Sequence, residues 1–220
     1  MPSAWESALG PQVEMLHPNI RAYVRAVAPG WVGRGEGVFT DAGCRSPIMR
    51  PVLGILARWG IAFPERGRHV PFSIENRGDA RGGVLARRTL LFSAQQRVMV
   101  DRVYEHRGRV VDALGSGGWL EAALRVSERD GALVARSGPV RVRLAGRWWR
   151  IPRAVRPTVE LVERWDDKAH SQHVDVRVSM PALGEIYGYR GWFTYAVVAD
   201  GNVAESRAAK RSPDGARLTE

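Results

Sequence analysis

The sequence predicts an α+β fold: a large curved antiparallel sheet or partly closed barrel of about eight or nine strands, with N-terminal helices packed on or over its concave face. Three observations lead there. From about residue 120 to residue 197 apolar and polar residues alternate in run after run, the period-two signature of strands with one dry and one wet face. Turn dipeptides such as Asp130-Gly131 leave too few residues between neighbouring runs for anything but hairpins, so the pairing is antiparallel. Helical spacing is confined to the first 60 or so residues. A sheet of that many strands must curl or close, and amphipathic helices beside it share its apolar interior.

Taken in chain order, the first helix is expected over Pro18 to Val27, where Ile20, Tyr23, Val24 and Val27 share a face, Pro18 suits the first turn and Pro29-Gly30 ends it. A second is expected from an N-cap at Ser46 through Ile48, Val52, Ile55, Leu56 and Trp59 to Gly60, with Pro51 as an alternative start. Apolar runs at Val70 to Ile74, Val84 to Phe92, Val98 to Tyr104 and Arg109 to Leu114 read as strands. Cleaner alternation follows at Leu120 to Ser127, Val140 to Leu144, Thr158 to Trp165 and His173 to Met180, and a last run spans Ile186 to Val198. Gly33-Arg-Gly-Glu-Gly37, Gly115-Ser-Gly-Gly118 and Ser137-Gly138-Pro139 read as turns, and the first two lack the Lys-Ser/Thr of a phosphate-binding loop. Residues 1–199 are expected to form one ligand-cavity domain. Residues 200–220 lose apolar periodicity and gain small and charged residues, so a disordered tail is expected there.

Composition narrows the function classes. The formal net charge is +10 and only Lys168 and Lys210 are lysine. The arginines are scattered over every segment and no zinc finger, RNA-recognition signature or basic zipper accompanies them, so no specific nucleic-acid partner is expected. One cysteine, Cys44, allows neither an internal disulfide nor a thiolate metal site. His170 and His173 fall in a polar turn entering a strand and would not share a face, so no metal is expected. No stretch approaches the ~18 apolar residues of a membrane span and no secretory leader precedes the helices, so a cytoplasmic location is expected. The nucleophile elbow, kinase signatures and catalytic triads are likewise missing, and no cofactor is implied.

One residue breaks the pattern. Along Thr158 to Trp165 the period of two puts Val159, Leu161, Glu163 and Trp165 on the apolar side, so an acid sits on a greasy wall. Such a carboxylate costs several kcal/mol unless it is paired, protonated or bound to a ligand. It is either a brace for an inward arginine such as Arg88 or a working group. In Tyr187 to Tyr195 the odd positions place Tyr187, Tyr189, Phe193 and Tyr195 on one face, a stripe that is either core or the lining of a cavity.

The order of elements resembles a bacterial domain-of-unknown-function family often found fused behind saccharopine-dehydrogenase-like domains, though this chain is expected to stand alone. The resemblance spans most of residues 14 to 197. It rests on Leu16-His17, Gly35-Glu36-Gly37 at a strand start, Pro64-Glu-Arg-Gly67 with Val70-Pro71, Arg87-Arg88 with Phe92, Ile151-Pro152 with Pro157, Glu163 at the end of its strand, Val174-Asp-Val176, Pro181 with Gly184, and Tyr189-Arg-Gly191. It implies a shared fold and no assigned reaction.

Two functions follow as expectations. The first is a cavity for an apolar or amphipathic small molecule, lined by Trp165, Tyr187, Phe193, Tyr195 and His17. With Glu163 as acid or base, Tyr189 as hydrogen-bond donor and Arg88 holding negative charge, the same cavity would support cofactor-independent isomerisation, cyclisation or dehydration. The second is an interaction module docking to a dehydrogenase-like or other protein, or to a second copy, with Trp148-Trp149 as anchor.

Overall fold

A computed structural model describes residues 1–80 and 82–201. Eleven strands form one antiparallel sheet: β1 (Trp31–Cys44), β2 (Arg66–Gly78), β3 (Val84–Phe92), β4 (Gln95–His106), β5 (Arg109–Leu114), β6 (Leu120–Arg129), β7 (Ala132–Leu144), β8 (Arg147–Arg150), β9 (Thr158–Asp166), β10 (Ser171–Met180) and β11 (Gly184–Ala199). Except for β8 and β9, neighbours in sequence pair with one another, and β1 closes the ring by pairing with β11 from Trp31 opposite Ala199 to Cys44 opposite Tyr187. The remaining join is made by β7, which pairs with β6 and with β9, Leu133 facing Glu163 and Arg136 facing Glu160. Ten strands therefore close an up-and-down barrel, and β8 lies outside it on the second half of β7. Closure removes the free edges that so long an antiparallel sheet would otherwise expose.

The expected eight or nine strands were too few, because β1 and β8 carry no alternation. Gly33 to Gly37, read as a turn, runs through the middle of β1. A Cβ on Gly33 would lie 1.6 Å from Tyr195 Oη, and one on Gly37 would lie 2.0 Å from the Trp192 carbonyl oxygen. The glycines are there because neighbouring groups fill the space of their side chains, which also erases the periodic signal. Ser137-Gly138-Pro139 is likewise no turn: it lies within β7 where the register against β6 slips between Ala122 and Leu124, a bulge that bends the strand. Asp130-Gly131 does turn between β6 and β7, both residues having positive φ as a tight two-residue hairpin requires.

Helices close both ends of the barrel. Helix α1 (Ala4–Leu9) starts at a capping box in which Ser3 Oγ accepts from the Glu6 amide and Glu6 accepts from the Ser3 amide. The sequence carries that Ser-x-x-Glu signal at Ser3 and Glu6. Helix α2 (Pro18–Val24) follows a 3-10 turn, and Ser3 Oγ donates to the Val24 carbonyl, tying the two helices. Leu9, Leu16, Ile20 and Val24 pack on Leu133 at the start of β7. At the opposite end, between β1 and β2, helix α3 (Arg50–Ala57) carries Pro51 in its first turn, behind a 3-10 turn over Pro47–Met49. The prolines thus divide the expected second helix. Among the described residues no helix is long and apolar enough to cross a membrane. The expected tail at 200–220 lies outside the described residues from 202 onward. Asp200 lies within them, buried and ion-paired with Arg77, its amide donating to the Gly30 carbonyl.

Candidate functional site

The barrel encloses a cavity of ≈ 450 Å³. Each strand contributes alternate side chains to its wall, so the lining repeats the period of two: Val159, Leu161 and Glu163 from β9; Val174, Val176 and Val178 from β10; Tyr187, Tyr189 and Phe193 from β11. Trp5 and Tyr23 form its floor at the α1–α2 end, while Leu53 and Leu56 of α3 form part of the opposite roof. Most of the wall is aliphatic or aromatic.

Polar groups gather on the wall near Tyr23. Arg88 on β3 forms an ion pair with Asp101 of β4, and Asp112 of β5 lies close enough to feel the Asp101 charge. Glu163 accepts a hydrogen bond from Gln172 Nε2 at 2.7 Å and another from the Tyr23 hydroxyl. Burial pushes the Glu163 carboxyl up to about 7, against a pull downward from the nearby Arg88 charge and from the Gln172 and Tyr23 hydrogen bonds. Asp112 is raised well above the usual carboxylate range by burial and by the Asp101 charge. Burial opposes the Arg88 charge, but Asp101 together with Tyr189, Tyr23 and Glu163 more than compensates, and Arg88 stays cationic. Burial raises Tyr189 to about 12 and raises Tyr23 as well, so both hydroxyls keep their protons and serve as donors at neutral pH. Asn76 Oδ1 and Asp112 Oδ1 are buried without a hydrogen-bond partner among the described residues.

Glu163 thus lies on the inner wall as its strand pattern predicts, and Arg88, Tyr187, Tyr189 and Phe193 line the same cavity. Glu163 is not the direct brace of Arg88, since Asp101 holds that place. Three proposed ligand contacts lie elsewhere. Trp165 is one turn of alternation beyond Glu163, past the cavity floor, where His17 stacks on it with ring centres 5.9 Å apart. His17 also faces Asp167, 3.3 Å from its Nε2, and neither ring reaches the cavity. Tyr195 sits behind the floor, its ring 4.8 Å from that of Tyr23 and its hydroxyl accepting from Asn76 Nδ2 at 3.3 Å.

Asp101, Asp112, Asn76 and Gln172 belong to the site and were not read from the sequence. The signal that exposed Glu163 was available for them: Met99, Asp101 and Val103 share a face, as do Phe72, Ile74 and Asn76. Cys44 is a buried free thiol apart from this cluster. Among the described residues no three histidine, cysteine or carboxylate side chains are placed to hold a metal ion.

Residues 16–193 match the profile of a domain-of-unknown-function family, DUF4166, and the chain belongs to that family. A relative, the uncharacterized protein YndH of Bacillus subtilis (strain 168), is 25% identical over 186 residues, covering 81% of this chain and 90% of the relative. All the inward groups of the polar cluster lie within the matched span.

Proposed function

We propose that this DUF4166 domain holds a small, largely apolar molecule inside the barrel and presents its polar end to the group around Glu163. The observation that carries the reading is the conjunction of an apolar cavity of ≈ 450 Å³ inside the barrel with titratable side chains buried in its wall. Cavities of this size are in the range that takes small ligands. Buried charged clusters contribute little to stability that apolar residues could not, which favours a chemical use for this one.

The arrangement also favours a kind of ligand. Arg88 is already neutralised by Asp101, so the cluster offers few free positive charges to a carboxylate. It does offer acceptors, at Asn76 Oδ1, Asp112 Oδ1 and Glu163, and a phenolic donor at Tyr189. An apolar molecule ending in a hydroxyl or carbonyl complements that set. A carboxyl titrating near neutrality can give or take a proton at such a group, while Tyr189 steadies the oxygen on which charge develops. Cofactor-independent isomerisation, cyclisation or dehydration is the matching chemistry.

Native mass spectrometry of protein purified from its own host tests the reading, with Glu163→Gln beside the wild type. A co-purifying small molecule is expected in the wild type. In the variant, retention or turnover of that molecule should fall by about 10²-fold with the fold intact. A variant that keeps its ligand and its turnover would leave Glu163 as scaffold.

A further inference from the structure

Large apolar side chains are exposed in a group at the α3 end of the barrel. Ile48, Val52 and Ile55 face outward from the α3 region, and Trp59 follows. Trp59 packs edge-on against Trp119, ring centres 4.8 Å apart, and the Trp119 carbonyl accepts from the Arg143 amide at 2.7 Å. Arg143 pairs with Trp148 across the β7–β8 hairpin, so the outer strand belongs to the same rim. Trp148 and Trp149 are 38% and 58% exposed.

Two segments of the rim carry basic residues without acidic ones, although Arg45 and Arg141 within them pair with Asp41, Glu185 and Glu121 outside them. Residues 45–60 and 141–157 contain arginines and not one aspartate or glutamate. Arg50, Arg58, Arg143, Arg147, Arg150 and Arg153 form no ion pair among the described residues. Elsewhere on the barrel many arginines are partnered, as Arg97 is by Glu65 and Arg102 by Asp79.

We infer that this rim is a docking face for an anionic lipid bilayer, with the apolar side chains entering the headgroup region and the arginines meeting lipid phosphates. Exposed aliphatic and tryptophan side chains ringed by arginine are the composition of an interfacial membrane contact. A second copy of the chain is a poor occupant, because mating two such rims brings unpaired arginines of both together. Continuity with the cavity supports the bilayer. Val52 is exposed on α3 yet belongs to the cavity wall, as do Leu53 and Leu56 beside it. A cargo crossing there would pass from the barrel into hydrocarbon without entering bulk water. The membrane contact itself does not depend on the cavity being filled.

Sedimentation with vesicles of phosphatidylcholine, alone or with about one-third phosphatidylglycerol, tests the inference directly. Binding is expected only to the anionic vesicles, with tryptophan emission quenched by brominated lipid. Each arginine near the surface contributes about fivefold, so Arg147→Glu with Arg150→Glu should weaken binding by at least about 30-fold. Ile55→Ser with Trp149→Ser should weaken it while leaving the melting temperature close to that of the wild type, since both side chains are exposed. Arg109→Glu with Arg129→Glu, exposed at the opposite end, should change it by no more than about threefold. Failure to bind anionic vesicles, or equal loss in the opposite-end pair, overturns the inference. So does equal affinity for polyglutamate, which would mark a face for acidic protein, or a lipid-free dimer that the rim substitutions dissociate.

Discussion

Glu163 makes the stability of the barrel depend on pH in a direction opposite to that of an ordinary paired carboxylate. Its carboxyl titrates at about 7 in the folded chain against 4.5 in the open one, mainly because burial disfavours the charge. Between those values the folded chain keeps the proton and the unfolded chain has released it. Raising the pH therefore favours unfolding, and stability that is fully present below about pH 4.5 is lost as the pH climbs to about 7. The gap of about two and a half pH units, at about 1.4 kcal/mol each, amounts to about 3.5 kcal/mol. Glu163→Gln removes the titration but keeps the shape and can still pair with Gln172 and Tyr23. The assay is urea unfolding of both proteins at about pH 5, 6, 7 and 8, reading the difference between them. Asp112 is raised as well and loses stability in the same sense, but it does so in both proteins and drops out of the difference to first order. The variant should gain on the wild type by about 2.5 kcal/mol between about pH 5 and 8, because part of the loss already lies below pH 5. A difference constant to within about 0.5 kcal/mol across that range would refute a protonated, buried Glu163.

Other perturbations probe the supports of the site. Asp101→Asn leaves Arg88 buried without its partner and should cost about 3–5 kcal/mol of unfolding free energy measured in urea, whereas Arg88→Met with Asp101→Leu should recover most of that loss. Gly37→Ala forces a Cβ against the Trp192 carbonyl oxygen and should destabilise by about 1–3 kcal/mol, visible as a lower melting temperature. Ending the chain after Val198 removes the Asp200–Arg77 ion pair, and should lower stability by about 1–3 kcal/mol relative to ending it after Gly201.

Glu163 was legible in the sequence because Val159 and Leu161 on β9 are unambiguous, so the acid between two such neighbours and Trp165 had to face the interior. Asp101 obeys the same rule, but arginines at 97 and 102 made its run look merely polar. What alternation cannot supply is depth along the barrel axis. It places Trp165 and Tyr195 on the inner side correctly, yet both lie at or beyond the level where α1 and α2 close the floor. Depth is set by strand register and helix docking, neither of which is written in the local pattern. His17 was out of reach for the same reason, its neighbours Trp165 and Asp167 being some 150 residues away in sequence. Glycine removed the signal from β1 altogether, and four residues were too few to give β8 one.

The closure of β1 on β11 has a kinetic consequence. Most neighbouring strands follow one another as hairpins, so their pairing brings together residues close in sequence and can proceed locally. Trp31 and Ala199 meet only after nearly the whole described chain has been gathered in, an encounter whose entropic cost is borne in a single event. Until then the sheet is an open ribbon, Glu163 and Arg88 face water, and there is no interior to hold a ligand. The pairing of the first and last strands thus marks the step at which hydrogen-exchange protection of β1 and β11, the raised titration of Glu163 and any affinity for a small molecule should all emerge together.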